Sequence, residues 1–131
     1  MARRLPGRAT ARPRYPPSVA PTFEDLVADA LDGLPEWVHE RLDNVAVMVE
    51  ERGPRNQPGL LGLYHGISLN RRGAGYAGAM PDRITLFRDA IERVARGDPA
   101  RLQKVVAHTV AHEIAHHFGI SDERLREIGA Y

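Results

Sequence analysis

The spacing of apolar residues along this chain predicts an α+β domain that combines several helices with a small sheet. Short apolar runs predict three strands, at Val45–Val49, Leu60–Tyr64 and Ile84–Phe87, and the first is predicted to be buried. Three glycines between residues 73 and 78 predict a flexible loop before the third strand. Helical spacing and capping signals predict helices from Thr22 to about Leu31, Pro35 to Leu42, Arg88 to Ala95, Pro99 to His117 and Asp122 to about Ile128.

Length and composition agree with one compact domain. A chain of 131 residues with 43% hydrophobic content is of single-domain size and can form one core. It has no cysteine, which excludes a disulfide framework and a thiolate metal site. Its apolar runs are too short to span a bilayer, and no apolar segment of a secretory signal follows the basic N-terminus. We therefore expect a cytoplasmic protein that does not associate with a membrane.

Charge is distributed unevenly along the chain. Residues 1–20 hold five arginines, four prolines and no acid, whereas the other 111 residues hold 13 basic and 17 acidic side chains, a net charge of −4. This contrast predicts a disordered arm at residues 1–20 and a folded domain at residues 21–131. A basic arm is also typical of a tether to nucleic acid. However, the whole chain has 17 arginines against one lysine, which favours a plain tail, so we expect no nucleic-acid partner.

The most informative chemical pattern is His112-Glu113-Ile114-Ala115-His116, which lies within the predicted long helix. Histidines four apart lie on one helix face, so His112 and His116 can both reach one metal ion. The pattern predicts a zinc hydrolase with one Zn²⁺ per chain and an open position for water, whose pKa the metal lowers toward ~7. Glu113 is the predicted general base: it takes a proton from that water and delivers it to the leaving amine of a peptide.

The third metal ligand must come from outside the motif. Gly119 can adopt positive φ and end the helix, so that the chain turns back and brings Asp122 to the metal. Asp122 is alternatively a first-turn acid of the next helix, which Ser121 caps, and Glu123 and Glu127 are rival ligands.

Shuffled chains of this composition would contain the five-residue motif about 0.02 times, and the added glycine and aspartate lower this to about one in ten thousand.

Residues 108–125 resemble the active-site segment of the minimal zincin-like metallopeptidase family, a group of small bacterial domains. Residues 23–27, 60–66 and 81–87 resemble the same family, so the resemblance covers roughly residues 22–128. It implies a minimal zincin-like fold, in which a small mixed sheet packs on a long active-site helix with additional helices. It also implies peptidase activity on a peptide or protein substrate.

The motif is also similar to that of the metzincins, with Asp122 where most members carry a third histidine. None of the nine residues that follow Asp122 is the methionine of a metzincin turn, which favours the minimal form. Zincins in general pair an edge strand with the substrate backbone, and Ile84–Phe87 is the predicted edge strand here.

Other polar residues near the motif have less certain roles. His108 lies four residues before His112 and is either a supporting group of the site or a plain neighbour. His117 points about 100° away from His116 around the helix, so we do not predict that it binds metal. The candidates for stabilising an oxyanion are Tyr64, His65, Tyr76 and Arg83, and nothing in the sequence chooses among them.

Two other functions compete with a peptidase. The chain could be a metal-binding interaction module with little or no hydrolytic activity, or it could hold a structural zinc ion. Structural sites usually close with four protein ligands, commonly including cysteine, which this chain lacks. Glu113 favours the enzyme, because a site that only binds metal does not need a base.

Overall fold

The computed structural model describes residues 20–42, 44–71 and 82–127, which form an α+β domain. The predicted arm, apart from Ala20, and the predicted glycine loop lie outside these residues. A 3₁₀ turn covers Leu69–Arg71. The strands are β1 (Val45–Glu50), β2 (Gly62–His65) and β3 (Asp82–Phe87), and the helices are α1 (Phe23–Asp32), α2 (Glu36–Arg41), α3 (Arg88–Ala95), α4 (Pro99–His117) and α5 (Asp122–Glu127).

Local capping explains where the two helices that frame the core begin. Thr22 and Asp25 form a reciprocal capping box at the start of α1, in which each side chain accepts a hydrogen bond from the backbone N–H of the other residue. The Asp98 carboxylate accepts from the first backbone N–H groups of α4, and Pro99 occupies its first position. Both predicted helix starts are confirmed.

The sheet has the order β1-β3-β2, with β1 parallel and β2 antiparallel to β3. Ile84 and Leu86 of the central strand are fully buried. The prediction that Ile84–Phe87 forms an edge strand is therefore wrong, because hydrogen-bonded partners flank this strand on both sides. The prediction of a buried first strand is also wrong: among the described strands β1 lies at the edge of the sheet, and its residues are half-buried or exposed.

Helix α4 packs against β2 and β3 on one side and against α1 and α3 on the others. Val106, Val110 and Ile114 project from it into the core. They meet the buried residues of the central strand and of the two neighbouring helices, which include Phe23 and Ile91. The half of α4 that follows Val110 is therefore held in a fixed rotation, with one face inside and the opposite face toward solvent.

Candidate metal centre

The C-terminal half of α4 carries the two motif histidines on its outward face. The ring centroids of His112 and His116 lie 4.9 Å apart. Gly119 has φ of +86° and ends the helix, with its N–H donating to His116 O and the N–H of Ile120 donating to Ala115 O, at 2.9 Å each. The predicted helix end at this glycine is confirmed, and the chain reverses there.

The reversal brings Asp122 back to both histidines. Its Oδ1 lies 3.0 Å from His112 Nε2 and 2.8 Å from His116 Nε2. Asp122 is also the first residue of α5, and the backbone N–H of Arg124 donates to Ser121 Oγ at 3.1 Å. Asp122 therefore lies near the motif and also begins a helix, so the two placements that the sequence allowed are compatible.

Glu113 lies on the inner side of the same site, where only 6% of it is exposed. Its Oε1 is 3.2 Å from His116 Nδ1. Burial raises the pKa of this carboxyl, although the two histidines partly oppose the shift. The pKa of Asp122 is lowered, chiefly by its hydrogen bond with His116. The two carboxyl groups therefore differ in proton affinity, and the buried one holds a proton more tightly.

The donor atoms of this cluster suit a divalent metal ion. Ligand atoms of His112, Glu113 and His116 lie within 4.8 Å of one another, which makes this group a potential metal site. Asp122 Oδ1 and the two Nε2 atoms converge more closely still, at 2.8 and 3.0 Å. Ligands of a tetrahedral zinc ion are about 3.3 Å apart for bonds of about 2.0 Å, and the distance from Asp122 Oδ1 to each Nε2 atom is close to this value.

The cluster is open on its outer side. The side chains of His112, His116 and Asp122 are 16%, 25% and 49% exposed. One cavity of about 290 Å³ lies on the His112 side, between residues 59–62 and α4. Another, of about 610 Å³, lies on the His116 side, between residues 64–71 and the turn at Gly119. A bound molecule can therefore approach the cluster from two sides.

Strand β2 forms one wall of this opening because Gly62 lets it lie directly on α4. A Cβ atom at Gly62 would stand 2.9 Å from Thr109 Cγ2 and 3.3 Å from Glu113 Cγ. Since β2 is hydrogen-bonded to β3 alone within the described residues, it is an edge strand and the one that adjoins the site.

A buried polar network behind the site was missed by sequence reasoning. His117 is fully buried, and its Nδ1 lies 2.9 Å from Oδ2 of Asp82, which is itself 3% exposed. The Tyr64 hydroxyl donates to the same carboxylate oxygen. Gly66 leaves room for this carboxylate, because a Cβ atom at that position would overlap Asp82. The one signal in the sequence was a histidine on the core-facing side of an amphipathic helix. This signal does not identify the residues that the histidine contacts.

The remaining predicted residues lie in varied positions. His108 is exposed, with its ring centroid 6.1 Å from that of His112. His65 Nδ1 lies 3.4 Å from an Arg83 guanidinium nitrogen, and Tyr76 lies outside the described residues. Glu123 is exposed, and Glu127 accepts a hydrogen bond from Arg124. Glu127 therefore pairs with Arg124, whereas Asp122 contacts the two motif histidines.

Comparison with known families agrees with this architecture. A model of the zincin-like metallopeptidase family matches residues 42–130, which is more than half of the chain. The chain therefore belongs to the zincin-like metallopeptidase family. No curated protein gives a significant match. Within the described ranges, no helix is both long and apolar enough to cross a membrane.

Proposed function

We propose that this chain is a zinc-dependent metallopeptidase, in which His112, His116 and Asp122 hold one zinc ion and Glu113 is the general base. The observation that carries the proposal is the convergence of Asp122 Oδ1 on both Nε2 atoms, next to a buried carboxyl group. Two nitrogens and one carboxylate oxygen are a donor set that catalytic zinc sites use.

The side chains of this cluster have distinct roles in peptide hydrolysis. A zinc ion held there would supply Lewis acidity, which lowers the pKa of water toward ~7 and polarises a substrate carbonyl. The Glu113 carboxylate accepts the proton of the attacking water and passes it to the leaving amine. Its raised pKa supports this role, because a carboxyl group with higher proton affinity is a stronger base near neutral pH.

The openness of the cluster favours a catalytic ion over a structural one. Structural zinc sites are usually closed by four protein ligands, whereas catalytic sites keep a position for water or substrate. Three donors converge here, their side chains are partly exposed, and cavities adjoin them on two sides.

The substrate that fits this cleft is an extended peptide or protein segment. Strand β2 is short, lies at the sheet edge and adjoins Glu113 through Gly62. The edge of β2 that faces away from β3 can form main-chain hydrogen bonds with an added strand. We therefore assign the substrate-pairing role to β2 in place of Ile84–Phe87.

The test compares zinc-loaded wild type with Glu113→Gln on one unbiased peptide library. The substitution preserves size and removes the base, and Glu113 is not among the proposed ligands. We expect zinc content to remain near one per chain and hydrolysis to fall by about 10²-fold or more. Glu123→Gln is the matched control, because Glu123 neighbours the site on an exposed surface and should leave both quantities unchanged.

The alternative function, a metal-binding interaction module with little hydrolysis, makes a different prediction. It expects stoichiometric zinc in both proteins and no difference in cleavage between them. Equal cleavage by wild type and Glu113→Gln contradicts the proposed mechanism. Lack of zinc binding by wild type contradicts both functions.

A further inference from the structure

The larger of the two cavities contains a cationic side chain whose role the proposed mechanism leaves open. This cavity has a volume of about 610 Å³, which lies in the range of about 300–1,000 Å³ that is typical of ligand pockets. His116 forms part of its wall, so the cavity opens directly onto the proposed metal site. Arg71, at the end of the 3₁₀ turn, forms another part.

Arg71 is held in this wall by the local fold. Its backbone N–H donates to Ser68 O at 3.0 Å, which closes the turn that follows β2. Ser68 is buried, so the turn is anchored to the domain. The Arg71 side chain is exposed, and no carboxylate of the described residues forms an ion pair with it.

Some other arginines of the domain are paired with acids. Arg88 is paired with Glu24 and Glu51, and Arg124 is paired with Glu127. In contrast, the described part of the cavity wall holds no acidic side chain, and its other polar groups are hydroxyls, His116 and main chain. Arg71 thus brings a positive charge to the wall of this cavity, which a ligand can neutralise.

The second cavity differs in charge and size. This cavity has a volume of about 290 Å³, and its wall includes Leu60, Leu61 and two glycines. Among the described residues of the wall, Glu113 is the only one with a formal charge. A peptide that crosses the metal site along β2 would therefore meet a cation at one end alone. Arginine binds carboxylates through paired N–H donors, which makes a carboxylate the complementary ligand group.

We propose that Arg71 is a specificity-determining residue that binds a carboxylate of the peptide substrate in the cavity beside His116. This carboxylate is either an acidic side chain or the terminal carboxyl group of the peptide. The inference rests on the proposed function, because it assigns a substrate class to the same cleft.

The test uses peptide hydroxamates as probes, because the hydroxamate occupies the metal and prevents the carboxylate from binding there. One series carries the hydroxamate at the C-terminus of a tripeptide, and a second carries it on an N-terminal succinyl group, so that the peptides extend to opposite sides. Each series contains glutamine, glutamate and lysine versions of one peptide, and the succinyl series also contains versions with a free C-terminal carboxylate. Binding is measured by calorimetry on zinc-loaded protein.

In the series that extends toward Arg71, a carboxylate should strengthen binding by about tenfold over its neutral counterpart. Arg71→Gln should abolish this preference, and Arg71→Glu should replace it with a preference for a lysine probe. Arg101→Gln is the matched control, since Arg101 is an exposed arginine on α4 that does not line the cavity. The neutral probes should bind all four proteins equally.

The probes distinguish the two carboxylate sources. Tighter binding of the glutamate probe indicates an acidic side chain, and tighter binding of the probe with a free terminus indicates the terminal carboxyl group. Equal binding of charged and neutral probes by wild type overturns the inference while the proposed function stands. A preference that survives in Arg71→Gln also overturns it. Failure of the protein to bind zinc would remove the proposed function and this inference together.

Discussion

Two adjacent histidines of α4 have opposite environments. His116 faces the open cleft, is 25% exposed and has its Nε2 2.8 Å from Asp122. His117 is fully buried, and its Nδ1 is 2.9 Å from Asp82. One residue of an α-helix corresponds to a rotation of about 100°, which here separates solvent from core.

A carboxylate partner alone therefore does not identify a metal ligand. Each histidine lies within hydrogen-bond distance of an aspartate, but Asp122 is half-exposed and contacts two imidazoles. Asp82 is buried and accepts from Tyr64 as well, so its lone pairs are directed at the domain interior. Access to the cleft, rather than the pairing, separates the candidate metal site from a packing network.

The largest predicted effect is on the buried histidine. His117→Ala should lower the free energy of unfolding of the zinc-free protein by about 3–5 kcal/mol, because it leaves Asp82 buried without one of its partners. His116→Ala should lower it by less than about 1 kcal/mol, since His116 is partly exposed. Urea denaturation measures both values. Tyr64→Phe is a milder probe of the same network and should cost about 1–3 kcal/mol. Equal losses of unfolding free energy in His117→Ala and His116→Ala would contradict the distinction between a buried and an open histidine.

The second prediction concerns zinc affinity on the open side. Asp122→Ala should weaken zinc binding by more than about a hundredfold, because even residues that only support a ligand change affinity by about 10–100-fold. Glu123→Ala, which removes a neighbouring exposed carboxylate, should leave affinity unchanged. Competition with a chromophoric chelator measures both constants. Comparable losses in the two variants would show that Asp122 acts only through general charge.

The third prediction tests the wall between the two environments. Gly62→Ala should cost about 1–3 kcal/mol of stability, because its Cβ would stand 2.9 Å from Thr109 Cγ2 and force β2 away from α4. Gly59→Ala is the control, since nothing lies within 4 Å of a Cβ there. Thermal or urea unfolding of the two variants measures the stability that each one loses. A neutral Gly62→Ala would mean that the strand and helix can separate without cost.

The smallest effect is expected at the N-terminus. Deletion of residues 1–20 should change the free energy of unfolding by less than about 0.5 kcal/mol and leave zinc content unchanged, since the segment has no periodic apolar pattern. Calorimetry and metal analysis of the shortened chain test this. A marked fall in melting temperature would mean that the arm packs on the domain.

Much of the site could be predicted from local sequence. The helical spacing of His112 and His116 and the positive φ of Gly119 depend on backbone geometry within one or two turns. The approach of Asp122 follows from that turn, because only two residues separate it from the glycine. For the same reason, the helix starts at Thr22 and Asp98 are local capping events.

Strand order and the buried network could not be predicted in this way. The central position of β3 depends on its pairing with β1 and with β2. Each residue of β1 pairs with a residue that lies 37 positions later in the chain. Three similar short apolar runs carry no local information about which one lies in the middle. Likewise, Tyr64 and His117 are 53 residues apart in the chain and meet at Asp82 only after the sheet has packed on α4.

The sequence by itself determined the motif helix, the glycine turn and the chemical identity of the residues that converge there. Tertiary structure alone decided that β2 forms the cleft wall, that Arg71 faces the cavity beside His116, and that His117 is buried. The physical reason is the range of the forces involved. Helix geometry and capping act over a few residues, whereas sheet order and the burial of polar groups depend on segments that only the folded core brings into contact.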